Sequence, residues 1–203
     1  MTRGRSGIVD GVPRRRVPVD EGGFDFGLSP EKRPPDAAAI DEGEVCACPR
    51  LEASDWDAVE SDWSDIRFLR GSLTAVGGVP VGYEGAKEGL LQKAGRLGAT
   101  VPEDAMVLLG SGKFRRPILL EVEGIEGGRG DVTAPGGVAW TRMRPAPWGQ
   151  LPKLAERVRA EARERYGRPP DDFWVWYLTC RHCSAARDFE TLFVAHYRDG
   201  TVP

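Results

Sequence analysis

Four cysteines stand at 46, 48, 180 and 183, and they are the only ones in the 203 residues. Cys46-x-Cys48 and Cys180-x-x-Cys183 each offer two soft sulfur donors from one short stretch of chain. Two such pairs make up the tetrahedral set that Zn²⁺ takes in structural sites. A zinc bound there would staple the chain near residue 47 to the turn that carries His182. The same spacing also admits two disulfides or four ordinary thiols. A reducing compartment disfavours the disulfides.

Two carboxylates interrupt apolar runs: Glu121 in ILLEVE and Glu190 in FETLFV. Glu190 shares strand parity with Leu192, Val194 and His196. A carboxyl among apolar neighbours holds its proton more tightly, which suits general acid or base work or the pairing of a cationic ligand. An edge-strand glutamate facing water is the plainer alternative. Several other chemistries fail on count. Cys183 has Phe189, not Arg, six residues on, as a phosphatase-type cysteine would need. Gly110-Ser111-Gly112-Lys113 lacks the glycine spacing and the following Ser or Thr of a P-loop. The two histidines, His182 and His196, have no evident serine partner, which disfavours a hydrolytic triad.

The elements that must position these groups repeat at an interval of 68 residues. Pro102-Glu103-Asp104 leads into the apolar run 105–109, and Pro170-Asp171-Asp172 leads into the run 173–177. Upstream, Tyr83, Ala86, Leu90, Ala94 and Gly98 match Leu151, Leu154, Val158, Ala162 and Tyr166. Both sets step by three or four residues, which is one buried stripe on a helix. Gly167 followed by Pro169 and Pro170 ends the second helix. A β-like run precedes each helix, at 68–76 and 138–143. Two more follow it, at 106–109 and 118–123, then at 173–180 and 189–197. The pattern predicts an α+β protein. Its duplicated strand–helix–strand–strand units, residues 67–124 and 137–198, form a curved antiparallel sheet with helices on one side. A concavity between the halves is then the natural ligand site.

Residues 1–66 read differently. The first fifty hold seven Gly and six Pro, with Phe24 and Phe26 as their only aromatics. No sustained period runs through them, so they form an extended arm, anchored if at all by Phe24, Phe26 and Ile40. Five Arg against one Asp in the first sixteen residues could contact phosphate, although a solvated tail explains them as well. A short helix is expected near 54–65, where Ser54 and Asp57 form a capping-box-like start and Trp56, Val59 and Trp63 share a face. The arm would suit a protein partner.

Charge narrows the partners. The 28 basic and 31 acidic residues give a net −3, which disfavours nucleic acid. No apolar run reaches a membrane-spanning length and no secretion signal opens the chain, so a cytoplasmic location is expected.

The stretch GGVAWTRMRPAPWGQLPKLAERV, followed by DDFWVWYL and FETLFVAHY, resembles the GyrI-like small-molecule-binding domain over about residues 67–198. The resemblance implies a cleft between two pseudo-symmetric halves that binds a bulky aromatic or cationic molecule, for sequestration or sensing. Some members hydrolyse reactive electrophilic natural products. It also implies a pocket with a buried acid and aromatic walls. Glu190 and Glu121 are the candidate acids, catalytic if the chain is a hydrolase. Tyr83, Trp140, Trp148, Trp176 and Tyr177 are the candidate walls. The arm and the cysteines fall outside that family's pattern. A structural subunit of a larger assembly, held by the arm, is the remaining reading.

Overall fold

The computed structural model describes Cys46, residues 48–126, 128, 131–147, 149–180 and 182–198. It also gives the backbone of three two-residue strands, β1 (Ile8–Val9), β2 (Val12–Pro13) and β3 (Val17–Pro18). Phe24, Phe26, Ile40 and Trp148 lie outside the described residues.

A single turn of helix, α1 (Ala53–Trp56), is followed by β4 (Val59–Asp62) and the long β5 (Arg67–Val76). The short β6 (Val79–Pro80) leads to α2 (Tyr83–Leu97), β7 (Val107–Leu109) and β8 (Arg115–Val122). Next come β9 (Val132–Thr133), β10 (Val138–Pro145) and α3 (Leu151–Tyr166). The last strands are β11 (Asp172–Tyr177) and β12 (Glu190–Tyr197). The helix ends follow the local chemistry. Gly98 and Gly167 close α2 and α3 in the left-handed conformation, which glycine adopts without a steric penalty.

The main sheet runs β3-β4-β10-β12-β11-β7-β8-β5-β6, with β9 paired to β5. It is antiparallel, curved and open, with α2 and α3 on one side, and the fold class is α+β. Outward from the central β11–β7 contact, each half presents its strands in mirrored order: β12 then β10 on one side, β8 then β5 on the other.

Register shows which face each side chain takes. Gly71 pairs with Ile118, Ile118 with Leu109, Leu109 with Val175, and Val175 with Phe193. These residues share the face that carries the helices. There α2 packs through Leu90, whose Cδ2 would lie 3.1 Å from a Cβ at Gly71. On the same face α3 packs through Leu154, Val158, Ala162 and Tyr166 against Trp140, Phe193 and Tyr197.

The opposite face carries Phe68, Leu108, Leu119, Glu121, Trp176, Leu192, Val194 and His196, all buried. It is no open concavity. Trp56 meets Trp176 edge-on at 5.8 Å between centroids, and Trp63 lies 5.2 Å from Phe68. The segment expected as one helix over 54–65 is therefore a helical turn and a strand. The helix ends at Trp56, and Asp57 is already extended; Ala58 takes φ +54°, and Val59–Asp62 then pairs with Val138–Thr141 of β10. The Thr141 hydroxyl donates to the carbonyls of Trp56 and Val59 at 2.6 and 3.1 Å. The Asp57 carboxylate accepts the Met143 N–H at 2.8 Å. Sheet pairing and these bonds replace the helical ones that the apolar period favours.

Candidate metal centre and adjoining cleft

Strand β11 ends at Tyr177, and the chain then turns through Cys180 and Cys183 before entering β12 at Glu190. Cys46 and Cys48 are brought against that turn. The four sulfur atoms lie within 4.8 Å of one another, and those of Cys180 and Cys183 are 3.9 Å apart. A tetrahedron with Zn–S bonds of about 2.3 Å has an edge of about 3.8 Å, so the spacing matches a tetrathiolate centre. All four are free thiols.

The donor chemistry also fits a cation. Burial works against ionisation of Cys180, but backbone N–H groups of Cys183 and His182 hydrogen-bond its sulfur. Together with the Cys48 and Cys183 side chains they bring it down to about 7. The Cys48 N–H does the same for Cys46 and lowers it. Burial and its sulfur neighbours push Cys48 up to about 12. Four thiolates cannot crowd together unaided, and a divalent cation would remove that conflict. A centre with four cysteine ligands is closed, which is the structural type.

Arg187 adjoins the cluster. Its guanidinium donates to the Leu178 carbonyl at 3.1 Å and the Pro49 carbonyl at 2.8 Å, and it pairs with Glu190. Burial opposes its charge, but hydrogen bonds and the charges of Glu190 and Cys183 more than offset this and hold it protonated.

A cleft of about 360 Å³ opens beside the cluster, with Cys46, Cys48, Cys180, Tyr83, Trp176 and Tyr177 among its walls. A second, of about 620 Å³, shares Tyr83, Glu84, Tyr177, Thr179 and Cys180 with it and adds Pro80 and His182. Both are of a size that holds small organic ligands. Tyr83 and Tyr177 meet edge-on at 5.6 Å and 85°. The charge of Arg116, whose guanidinium is fixed by the Gly110 and Gly78 carbonyls at 2.6 and 3.1 Å, acts on the Tyr177 phenol. Burial raises the phenol groups of both tyrosines, so each stays neutral and can act as a hydrogen-bond donor. Glu84, Lys87 and Glu103 are the ionisable side chains around the smaller cleft, apart from the tyrosines and cysteines.

The structure thus unites Tyr83, Trp176, Tyr177 and the four cysteines. Trp140 is elsewhere, buried under α3 with the Arg142 guanidinium 5.4 Å from its ring centroid. Glu190 stands at the edge of the cluster, tied to Arg187. Glu121 is on the face opposite the helices, where its Oε2 accepts the Met106 N–H at 3.0 Å. Two strands separate the strands of these two glutamates, a spacing of about 14 Å, too wide for one water to join the pair. Arg187 and Glu84 were missed from sequence. Arg187 sits four residues after Cys183, and that proximity was its only signal.

The fold and site define a duplicated α+β protein with a four-cysteine centre at the mouth of an aromatic cleft. The model of a family described as bacterial hydrolase matches residues 38–195, so the chain belongs to that family. The matched span includes all four cysteines and the cleft-lining aromatics. Comparison with curated proteins gives no significant match. Among the described residues, no helix is long and apolar enough to cross a membrane.

Proposed function

We propose that this protein hydrolyses a bulky aromatic or cationic small molecule in the cleft beside the cysteine cluster, and that the cluster holds a structural zinc. The observation that carries the reading is the edge-on Tyr83–Tyr177 pair, set in a cleft that the cysteines complete. Such a pair offers aromatic faces to a flat ligand. Charge favours a cation: four thiolates and one Zn²⁺ sum to −2, and Glu84 and Glu103 outnumber Lys87 at the rim. These aromatic and acidic walls fit what the GyrI-like resemblance implies, and hydrolysis fits the description of the matched family.

Zinc supplies cross-linking here, and the protein groups carry the chemistry. Glu84 borders both clefts and is placed to take a proton from an attacking water, and the Tyr177 hydroxyl is placed to orient the substrate. Glu190 and Glu121 are engaged by Arg187 and by the Met106 N–H, so Glu84 is the better-placed base.

The test uses two probes, the cationic dye rhodamine 6G and the activated aryl ester para-nitrophenyl butyrate. The dye is expected to quench tryptophan fluorescence stoichiometrically, and Tyr177→Ala to weaken that binding about fivefold, in line with an aromatic contact of about 1 kcal/mol. Glu84→Gln is expected to abolish ester turnover while the dye still binds. Dye binding with no turnover in the native protein would replace hydrolysis by sequestration, and no binding at all would remove the cleft.

A further inference from the structure

We infer that Arg187 couples metal loading of the cysteine cluster to closure of the cleft wall, as a positioning residue outside the metal's own ligands. This rests on the reading of the cluster as a metal site. The Arg187 side chain is 12% exposed, and its contacts reach both ligand-bearing segments. Pro49, whose carbonyl it holds at 2.8 Å, directly follows Cys48. Leu178, held at 3.1 Å, comes two residues before Cys180. The Cys183 thiol favours the guanidinium's charge. The Arg187 backbone N–H donates to the Cys183 carbonyl at 3.1 Å, which fixes the side chain's own origin on the cluster turn. One planar fork therefore spans both halves of the donor set.

The charge balance gives that fork a direction of effect. Four thiols that bind Zn²⁺ release four protons and leave a centre of charge −2. A largely buried cation that bridges the two ligand-bearing segments favours that product, and a nearby carboxylate opposes it. Arg187 and Glu190 therefore act on metal affinity with opposite signs, although they are partners in one ion pair. Cys46, Cys48 and Pro49 are also walls of the smaller cleft. Holding Pro49 and loading the metal thus complete the same wall. Lysine would supply the charge without the fork and could not span both carbonyls.

The experiment uses the full chain, zinc as the probe, competition with a chelator at fixed pH, and hydrogen exchange at the amides of Arg50 and Leu51. Native protein is measured first. One zinc per chain upholds the metal site, and no zinc removes both that site and this inference before any variant is made. Arg187→Gln is expected to bind zinc about 10–100-fold more weakly, the usual effect of losing an outer-sphere partner, and to lose the zinc-dependent protection of those amides. Arg187→Lys should regain part of the affinity and none of the protection. Glu190→Gln should bind zinc at least as tightly as the native chain. If Arg187→Gln does not fold, the Lys variant and the opposite sign at Glu190 carry the test. Zinc affinity within twofold of native in Arg187→Gln, or a loss in Glu190→Gln equal to that in Arg187→Gln or Arg187→Lys, overturns the inference.

Discussion

Trp63 stacks on His196, with ring centroids 5.0 Å apart and planes inclined by 24°. His196 belongs to β12 in the second half of the sheet, while Phe68, the other ring against Trp63, belongs to β5 in the first. The indole is 1% exposed and joins the two halves across the face opposite α2 and α3. Trp63→Ala is expected to destabilise the fold by about 3–5 kcal/mol, the range for deleting a large buried ring. Urea unfolding measures it, and a loss below about 1 kcal/mol would show that the indole is not part of the core.

The thiols should differ in reactivity when metal is stripped. Cys180 is brought down to about 7, whereas burial and its sulfur neighbours push Cys48 up to about 12. The thiolate is the nucleophile, so iodoacetamide at pH 7.5 should modify Cys180 well before Cys48. The Cys180 rate should rise as pH passes through 7. Because protons compete with the cation for the same sulfurs, zinc should be released as pH falls and should protect both residues when bound. Peptide mapping reads the order of labelling, and equal rates at the two positions would contradict it.

Glu121 has a structural duty that a conservative variant separates from chemistry. Its carboxylate accepts the Met106 N–H inside the core. Glu121→Ala strands that donor and should cost about 1–3 kcal/mol. Glu121→Gln keeps an acceptor and should cost less. Thermal unfolding distinguishes them, and equal losses would mean that the hydrogen bond does not matter.

Gly137 has φ +70°, and a Cβ there would lie 2.1 Å from the Tyr197 carbonyl oxygen. Its own carbonyl accepts the Trp63 N–H at 2.8 Å. Gly137→Ala combines a backbone clash with left-handed strain of about 1–3 kcal/mol, so it should destabilise by at least that much. A neutral effect in denaturant titration would rule out this conformation.

Much of the scaffold was legible from residue order. The stripe from Leu151 to Tyr166 and the strand–helix–strand–strand succession emerge as expected because both depend on periodic burial. The cysteine cluster was legible from spacing alone. The stretch 54–65 was not, because Trp56 and Trp63 reach the core whether the chain is a helix or a turn and a strand. The chain leaves the helix at Asp57 and turns at Ala58, φ +54°, and alanine carries no signal for that conformation. The filling of the expected concavity was not legible for a related reason. Parity sorts residues onto two faces but does not say that the chain before β5 fills one of them. Glu84 and Arg187 owe their place to tertiary contact and have no motif of their own.

The edges of the sheet have a consequence for how the molecule comes apart. Strand β4 precedes the first half yet borders β10 of the second, while β9, from the link between halves, borders β5 of the first. Each half thus has an outer strand covered by a segment from outside its own repeat unit, and neither could expose that edge without unpairing its neighbour. Melting of one half should therefore bring down the other, so that calorimetric and van't Hoff enthalpies agree in a single transition despite the duplicated plan.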